Sequence, residues 1–312
     1  MTYFQIHSVP YIDNIQDFIT IETSKTKINE PIINKTLMNY LTNIKTEIDN
    51  KQDEWDHYKK YINPYEYIHT QISNSKPSVC KIKPMSRSYF KMIEICKIFN
   101  LDTELPTNCT SFHLAEGPGG FIEALCSLRN NKNDNYIGMT LIDKNINVPG
   151  WKKSNNFLEN NKNVFIEKGI DKTGNLLNLN NLKHCVSKYK GSIDLITADG
   201  GFDFSVDFNS QETVSANLIF CQIIYAIAIQ KKKGCFFIKF FDTFTNASVD
   251  MLYLLSMLYE EVYFVKPNTS RYANSEKYIV CKYFKLDDSS KILDKIFIYF
   301  DSICNEDNIK QI

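Results

Sequence analysis

The 312-residue sequence predicts an α/β fold: a helical extension, then a mainly parallel, doubly wound sheet of seven strands closed by an antiparallel hairpin. Three observations carry this. Beyond residue 86, seven short apolar runs of strand length alternate with stretches of helical periodicity. The last two runs are joined only by "NTSRYANSE", too short and too polar for the crossover helix that a parallel connection needs. Finally, three of the 11 glycines fall inside four positions of "FHLAEGPGGF" (112–121), where the first run gives way to a helix.

Residues 1–78 are polar and aromatic and read as an accessory extension, with a helical stretch from Lys35 to Tyr61 where apolar residues recur every three or four positions. After "SNSKPSVCKIKPMS" comes the helix "SRSYFKMIEICKIF" (86–99), with Ser86 as its candidate cap. The strands follow as "SFHLAEG" (111–117), "YIGMTLID" (136–143), "VFIEKG" (164–169), "IDLITADG" (193–200), "CFFIKFF" (235–241), "EVYFVKP" (261–267) and "KYIVCKYF" (277–284). Residues 79–285 are thus expected to form the main domain and 286–312 a terminal helix. There are no internal repeats, and "RNNKNDN" and "ENNKN" read as surface loops.

Composition narrows the function. Lys+Arg and Asp+Glu number 36 each, so any site for a polyanion has to be local. The nine cysteines are odd in number and contain no C-x-x-C pair, which argues against a zinc site or a disulfide framework and for a reducing compartment. No apolar leader follows Met1, and the longest apolar stretch, "NLIFCQIIYAIAIQ", falls short of the ~20 residues that span a bilayer. The expectation is a soluble intracellular protein with no membrane partner and no metal.

In "EGPGGF" the glycines allow close backbone approach, and the following helix points its N–H groups and positive dipole at whatever binds there. A nucleoside suits such a place; a tight strand-to-helix turn without ligand is the plainer alternative. A dinucleotide fingerprint would need a third glycine at position 122, which is Ile122. Glu116, Gly117, Pro118, Gly119, Gly120 and Phe121 are therefore the candidate cofactor loop. Asp143 ends the second strand, where a carboxylate can accept from ribose hydroxyls. Asp171, in "GIDKTGNL", could meet an adenine amino group. Both could equally be ordinary loop or turn aspartates.

Three ionisable residues mark strand ends or interiors where a solvated charge is unexpected, and a fourth precedes the first strand. Lys239 lies among Phe236, Phe237, Phe240 and Phe241, and desolvation disfavours the charged form of an amine. Asp199 ends the fourth strand beside two glycines, Glu276 opens the seventh, and Lys91 lies on the helix before the first. Singly each has a plain explanation, such as a lysine that snorkels to solvent.

Together these residues resemble the K-D-K-E tetrad of the FtsJ-like RNA 2′-O-ribose methyltransferases. "SRSYFKMIEI" is similar to that family's SR-x-x-x-K helix, "AEGPGGF" to its cofactor loop, "ADGG" to its motif-four aspartate, "FIKFF" to its second lysine and "SRYANSEKYIV" to its SR-x-x-S-E-x-Y strand. The likeness covers roughly residues 79–285. It implies the Rossmann-like fold of class I methyltransferases, S-adenosyl-L-methionine as cofactor, and Lys91, Asp199, Lys239 and Glu276 as catalytic residues. "NPYEYI" (63–68), "KPMSRSYFKM", "GMTLID" followed by "PGWKK", and "GIDKTGNL" resemble the adrift-type, cap-specific mRNA branch found in eukaryotes and large DNA viruses. The stretch 144–163 does not align with that branch, so a pocket for the cap guanine is unassigned.

The resemblance implies attack of a ribose 2′-oxygen on the cofactor methyl, with Lys239 as base, Lys91 beside it, Asp199 orienting Lys239 and Glu276 holding Lys91. Arg87 and Arg271 are candidates for phosphate contacts, and Trp151 for stacking on a base, although tryptophan is more often core. The implied partner is capped RNA, with capping or transcription proteins as candidate partners of the extension, in nucleus or cytoplasm, or in a virion or viral factory for a viral source. Two alternatives stand beside it: a 2′-O-methyltransferase of ribosomal or transfer RNA, and a silent RNA-binding scaffold of the same fold.

Overall fold

In the computed structural model, residues 1–25, 33–70, 78–145, 148–201, 209–304 and 308–312 are described. In chain order the elements are β1 (Thr2–Ile6), β2 (Glu22–Ser24), α1 (Lys35–Asp49), α2 (Gln52–Tyr58), α3 (Ser88–Phe99), α4 (Leu101–Glu104), β3 (Thr110–Leu114), α5 (Gly120–Arg129), β4 (Asn135–Met139), α6 (Asn155–Asn160), β5 (Val164–Ile166), α7 (Leu179–Tyr189), β6 (Ile193–Ala198), α8 (Gln211–Ile229), β7 (Gln230–Phe240), α9 (Asn246–Leu258), β8 (Tyr259–Lys266), β9 (Lys277–Phe284), α10 (Ser290–Cys304) and β10 (Asn308–Gln311). One 3-10 turn, Pro64–Ile68, also matters below.

The main sheet runs β1-β8-β9-β7-β6-β3-β4-β5. The strands from β7 to β5 are mutually parallel, whereas β9 is antiparallel to both β7 and β8. All seven expected strands are present, and the last two pair as a hairpin. The sheet holds one strand more than expected, because β1 adds antiparallel to β8. Its first four residues are exposed, so it shows no buried face for a pattern to reveal.

The two-residue period of the strands divides the core between two layers. Phe236, Ile238 and Phe240 of β7 face the layer that contains α8 and α9, while Cys235 and Phe237 face the layer that contains α3 and α5. On β9, Ile279 and Cys281 join the first layer, Tyr278 and Val280 the second. The long apolar stretch of the sequence is α8, the one helix among the described residues long and apolar enough to cross a membrane; it is mostly buried in the core. The helix expected over 35–61 is interrupted between α1 and α2. Ser86 does not cap α3: Arg87 holds the N-cap position without a side-chain cap bond, and Ser86 Oγ instead meets Ser88 Oγ. The terminal helix ends at Cys304, and β10 turns back to pair with β2.

His113 of β3 is fully buried, with Nε2 2.8 Å from Ser111 Oγ and Nδ1 2.7 Å from Thr197 Oγ1, and burial holds its pKa down to about 3. An unfolded histidine takes up its proton near pH 6.5, about three units earlier. Over that window the unfolded state binds more protons, so stability falls as the pH is lowered, by ~1.4 kcal/mol per unit. Thermal unfolding is expected to be easier by about 2 kcal/mol at pH 5 than at pH 7 from this group. His113→Gln should flatten the melting-temperature slope between pH 6.5 and 5; an unaltered slope there would assign the acid sensitivity elsewhere.

Candidate active site

The parallel strands open at their C-terminal ends on a cavity of about 650 Å³. Ala115 and Gly117 line it after β3, Thr140 and Leu141 after β4, and Asp199 after β6, with Lys239 at the end of β7. A second cavity of about 330 Å³ adjoins it, reaching Arg87, Lys91, Glu116 and Arg271. Asp199, Lys239 and Glu276 border both. Ala115 has φ of +54°, a left-handed conformation uncommon for a residue with a side chain, at the point where the chain leaves β3 for the cavity wall.

The four ionisable residues singled out in the sequence converge here. Lys239 Nζ donates to the Asp199 carbonyl at 2.7 Å and lies 3.3 Å from Asp199 Oδ1. Lys91 Nζ is 2.6 Å from Glu276 Oε1. Tyr278 joins the two pairs: its hydroxyl donates to Asp199 Oδ1 at 2.8 Å and accepts from Lys91 Nζ at 3.4 Å. Sequence reasoning gave Tyr278 no role, although two residues beyond Glu276 on a strand is the same face. Burial, then the charges of Asp199 and Glu276, push the phenol pKa well above its ordinary value, so Tyr278 keeps its proton and donates.

Burial is the largest influence on Glu276 and pushes its pKa up. The charges of Lys91 and Lys239, with hydrogen bonds from Lys91 and from Ser270 Oγ at 2.8 Å, outweigh it and hold the carboxylate at about 2. The aromatic bracket expected around Lys239 is only partly realised, since Phe236 and Phe240 point into the opposite layer; the amine lies 6.0 Å from the Phe241 ring centroid.

Residues 84–284, more than half of the chain, match the model of the FtsJ-like methyltransferases. The chain belongs to that family. It is similar to cap-specific mRNA (nucleoside-2′-O-)-methyltransferase 2 of Drosophila melanogaster, 30% identical over 244 residues covering 69% of this chain and 33% of that protein. It is likewise similar to methyltransferase 1 of the same description from Trypanosoma cruzi, 36% identical over 170 residues covering 53% and 45%. The corresponding protein of Danio rerio is 29% identical over 303 residues, covering 89% and 34%. The chain thus spans a third to under half the length of these relatives.

FtsJ-like methyltransferases use S-adenosyl-L-methionine as methyl donor, and the larger cavity suits it. Its volume is that of a small-molecule site. Apolar walls from Leu141, Leu176 and Leu177 face a carboxylate, Asp199. Glu116 adds a second feature: Oε1 accepts from the Ile122 N–H at 3.2 Å, while Oε2 is buried without a partner among the described residues. Burial pushes this carboxyl well up.

The glycine loop serves a different purpose from the one its density suggests. Of residues 116–121 only Glu116 and Gly117 border the cavities. A Cβ on Gly117 would lie 2.7 Å from the Gly150 carbonyl oxygen, and one on Gly120 would collide with Ser86 and Ser88. A Cβ on Gly119, at φ +102°, would lie 3.1 Å from the Trp151 ring. The missing side chains chiefly admit other parts of the chain, and Phe121 is core. The Pro118 carbonyl accepts from Ser154 Oγ.

The remaining candidates divide. Trp151 is partly buried, lies against Gly119 and Gly138, packs on the α3–α5 layer, and borders neither cavity. Asp143 is exposed and borders neither cavity; its Oδ1 accepts from the Asn145 N–H at 2.7 Å within its own turn. Asp171 is occupied by Thr173 N–H and Oγ1, Asn178 and Asn181, at 2.7–2.9 Å, and shapes the loop that presents Gly174 and Leu176 to the cavity. Arg87 and Arg271 do border the smaller cavity.

Because the neighbour of Gly117 is backbone, Gly117→Ala must displace the Pro149–Gly150 wall of the cavity. Calorimetry is expected to show S-adenosylmethionine affinity lower by at least about tenfold, ~1.4 kcal/mol. Unchanged affinity in the folded variant would remove this cavity from cofactor binding.

Proposed function

We propose that this chain methylates the ribose 2′-oxygen of the cap-proximal nucleotide of mRNA, with Lys239 as general base of a Lys91–Asp199–Lys239–Glu276 tetrad. The observation that carries the reading is the convergence of the four residues on the rim between two adjoining cavities, one suited to the cofactor and one open beside it. The named activity of the similar proteins supports the capped substrate.

A ribose hydroxyl is a poor nucleophile near neutral pH, so its proton must leave as the new O–C bond forms. S-adenosylmethionine, when bound, supplies an electrophilic methyl carbon on a sulfonium whose departure leaves a neutral thioether. Lys239, in its neutral form, takes the hydroxyl proton, and the resulting ammonium is stabilised by the Asp199 carboxylate and carbonyl. Glu276 holds Lys91, which keeps a positive charge beside the reacting oxygen, and the Tyr278 hydroxyl fixes Asp199. Alignment of hydroxyl and methyl by these rigid strand ends supplies much of the rate.

Labelled methyl transfer to capped and uncapped forms of one short RNA, followed by digestion to locate the methyl, tests the reading. The label is expected on the cap-proximal 2′-oxygen of the capped form alone; equal labelling of both forms would favour a ribosomal or transfer RNA substrate. Lys239→Met keeps the stem and removes the nitrogen. It is expected to lower turnover at least about a hundredfold while cofactor affinity and melting temperature stay near wild type. Retention of more than about a tenth of turnover would remove Lys239 from the proton transfer.

A further inference from the structure

The segment "NPYEYI" takes no part in the chemistry above, yet it brings a buried charge to the rim of the smaller cavity. Asn63 is fully buried and accepts from the Tyr65 N–H at 3.2 Å, and Pro64 follows, so the chain folds into the 3-10 turn Pro64–Ile68. Mid-turn, Glu66 is only 2% exposed. Its carboxylate accepts from Arg271 Nε and Nη2 at 3.1 and 3.0 Å, and from Arg87 Nη1 at 3.3 Å. Three segments remote in sequence meet at this one group: the extension, the start of α3 and the β8–β9 link.

The arginines differ from the carboxylate in exposure. Their side chains are 31% and 27% exposed for Arg87 and Arg271, and both border the cavity that also reaches Lys91, Asp199 and Lys239. The side-on pairing uses one edge of the Arg271 guanidinium and leaves Nη1 without a partner among the described residues. Two guanidiniums so close repel each other. Arg87 is pushed below its ordinary value by burial first and then by Arg271, and Glu66 opposes both. One carboxylate between two guanidiniums leaves a single net positive charge facing the cavity, the complement of one phosphodiester.

We propose that Glu66 is a positioning residue that fixes Arg87 and Arg271 as a two-armed fork for the RNA phosphodiester beside the ribose presented to Lys239. The proposal rests on the reading of RNA as substrate. Guanidiniums held in a plane match phosphate oxygens in a way that mobile ones do not. Phosphate contacts set register on a nucleic acid, which is what a base aimed at one hydroxyl requires.

The test is binding of a fluorescent, short capped RNA to the full chain and to Glu66→Gln, with S-adenosylmethionine binding measured in parallel. Gln keeps the shape and one acceptor but removes a negative charge, so a purely electrostatic role predicts tighter RNA binding. A fork that has lost its anchor is expected to bind RNA at least about tenfold more weakly, with cofactor affinity unchanged. Arg271→Lys keeps the charge and loses the side-on geometry; it should weaken RNA binding similarly and combine non-additively with Glu66→Gln. Equal or tighter RNA binding by Glu66→Gln, or by Arg271→Lys should the first variant fail to fold, overturns the fork and leaves the RNA reading standing. Absence of RNA binding by the wild-type chain overturns both.

Discussion

Because β9 runs antiparallel between β7 and β8, it begins at the edge of the sheet where β6 and β7 end. Asp199 directly follows β6 and Lys239 is the penultimate residue of β7, while Glu276 directly precedes β9 and Tyr278 is its second residue. Lys239 and Tyr278 are register partners, and the alternation of the strands turns both toward the layer that contains α3. Lys91, on the buried side of α3, needs only to extend across that layer to reach Glu276. A crossover helix in place of the short link would have started the last strand at the opposite edge, some strand length from the lysine.

That arrangement also solves an electrostatic problem. Lone charges this poorly hydrated would be costly, and removing one member of a buried pair commonly destabilises more than the pair itself contributes. Here every charge has a counter-charge within reach: Glu276 answers Lys91, Asp199 answers Lys239, and the Tyr278 phenol joins the pairs with a neutral donor. Such a network restrains its members because each is held by at least one of the others. It holds Lys239 at the cavity rim, and the left-handed Ala115 lines the same cavity.

What the sequence could reveal of this follows a physical division. The seven strands and the four converging ionisable residues were legible because apolar periodicity and charges set among apolar residues are local signals. β1 and β10 were not, since one is an exposed edge strand and the other pairs with β2, nearly the whole chain away. Tyr278 was given no role because only tertiary packing puts its hydroxyl between Asp199 and Lys91. Asp143 and Asp171 are of the residue type that contacts ribose and base, but Asp143 Oδ1 accepts within its own turn and Asp171 accepts from Thr173, Asn178 and Asn181. The glycine density was legible and its reason was not: Gly150, Trp151, Ser86 and Ser88 press on the loop from elsewhere in the chain.

The residues matched by the family, 84–284, include Lys91, Asp199, Lys239, Glu276 and both rim arginines, whereas Glu66 and β1 lie outside. The extension is nonetheless built into the site. Its 3-10 turn accepts backbone hydrogen bonds from Cys80 to Ile68 at 2.8 Å and from Val79 to Tyr67 at 3.5 Å, just ahead of α3. A chain starting at residue 84 would keep Lys91, Asp199, Lys239 and Glu276 and lose the carboxylate that pairs with both arginines. The division is physical: the four converging residues need only strand ends and α3, while the charge geometry beside them depends on a segment outside the residues that the family model matches. Two different carboxylates therefore anchor the two sides of the site, Glu66 the rim arginines and Asp199 the amine of Lys239.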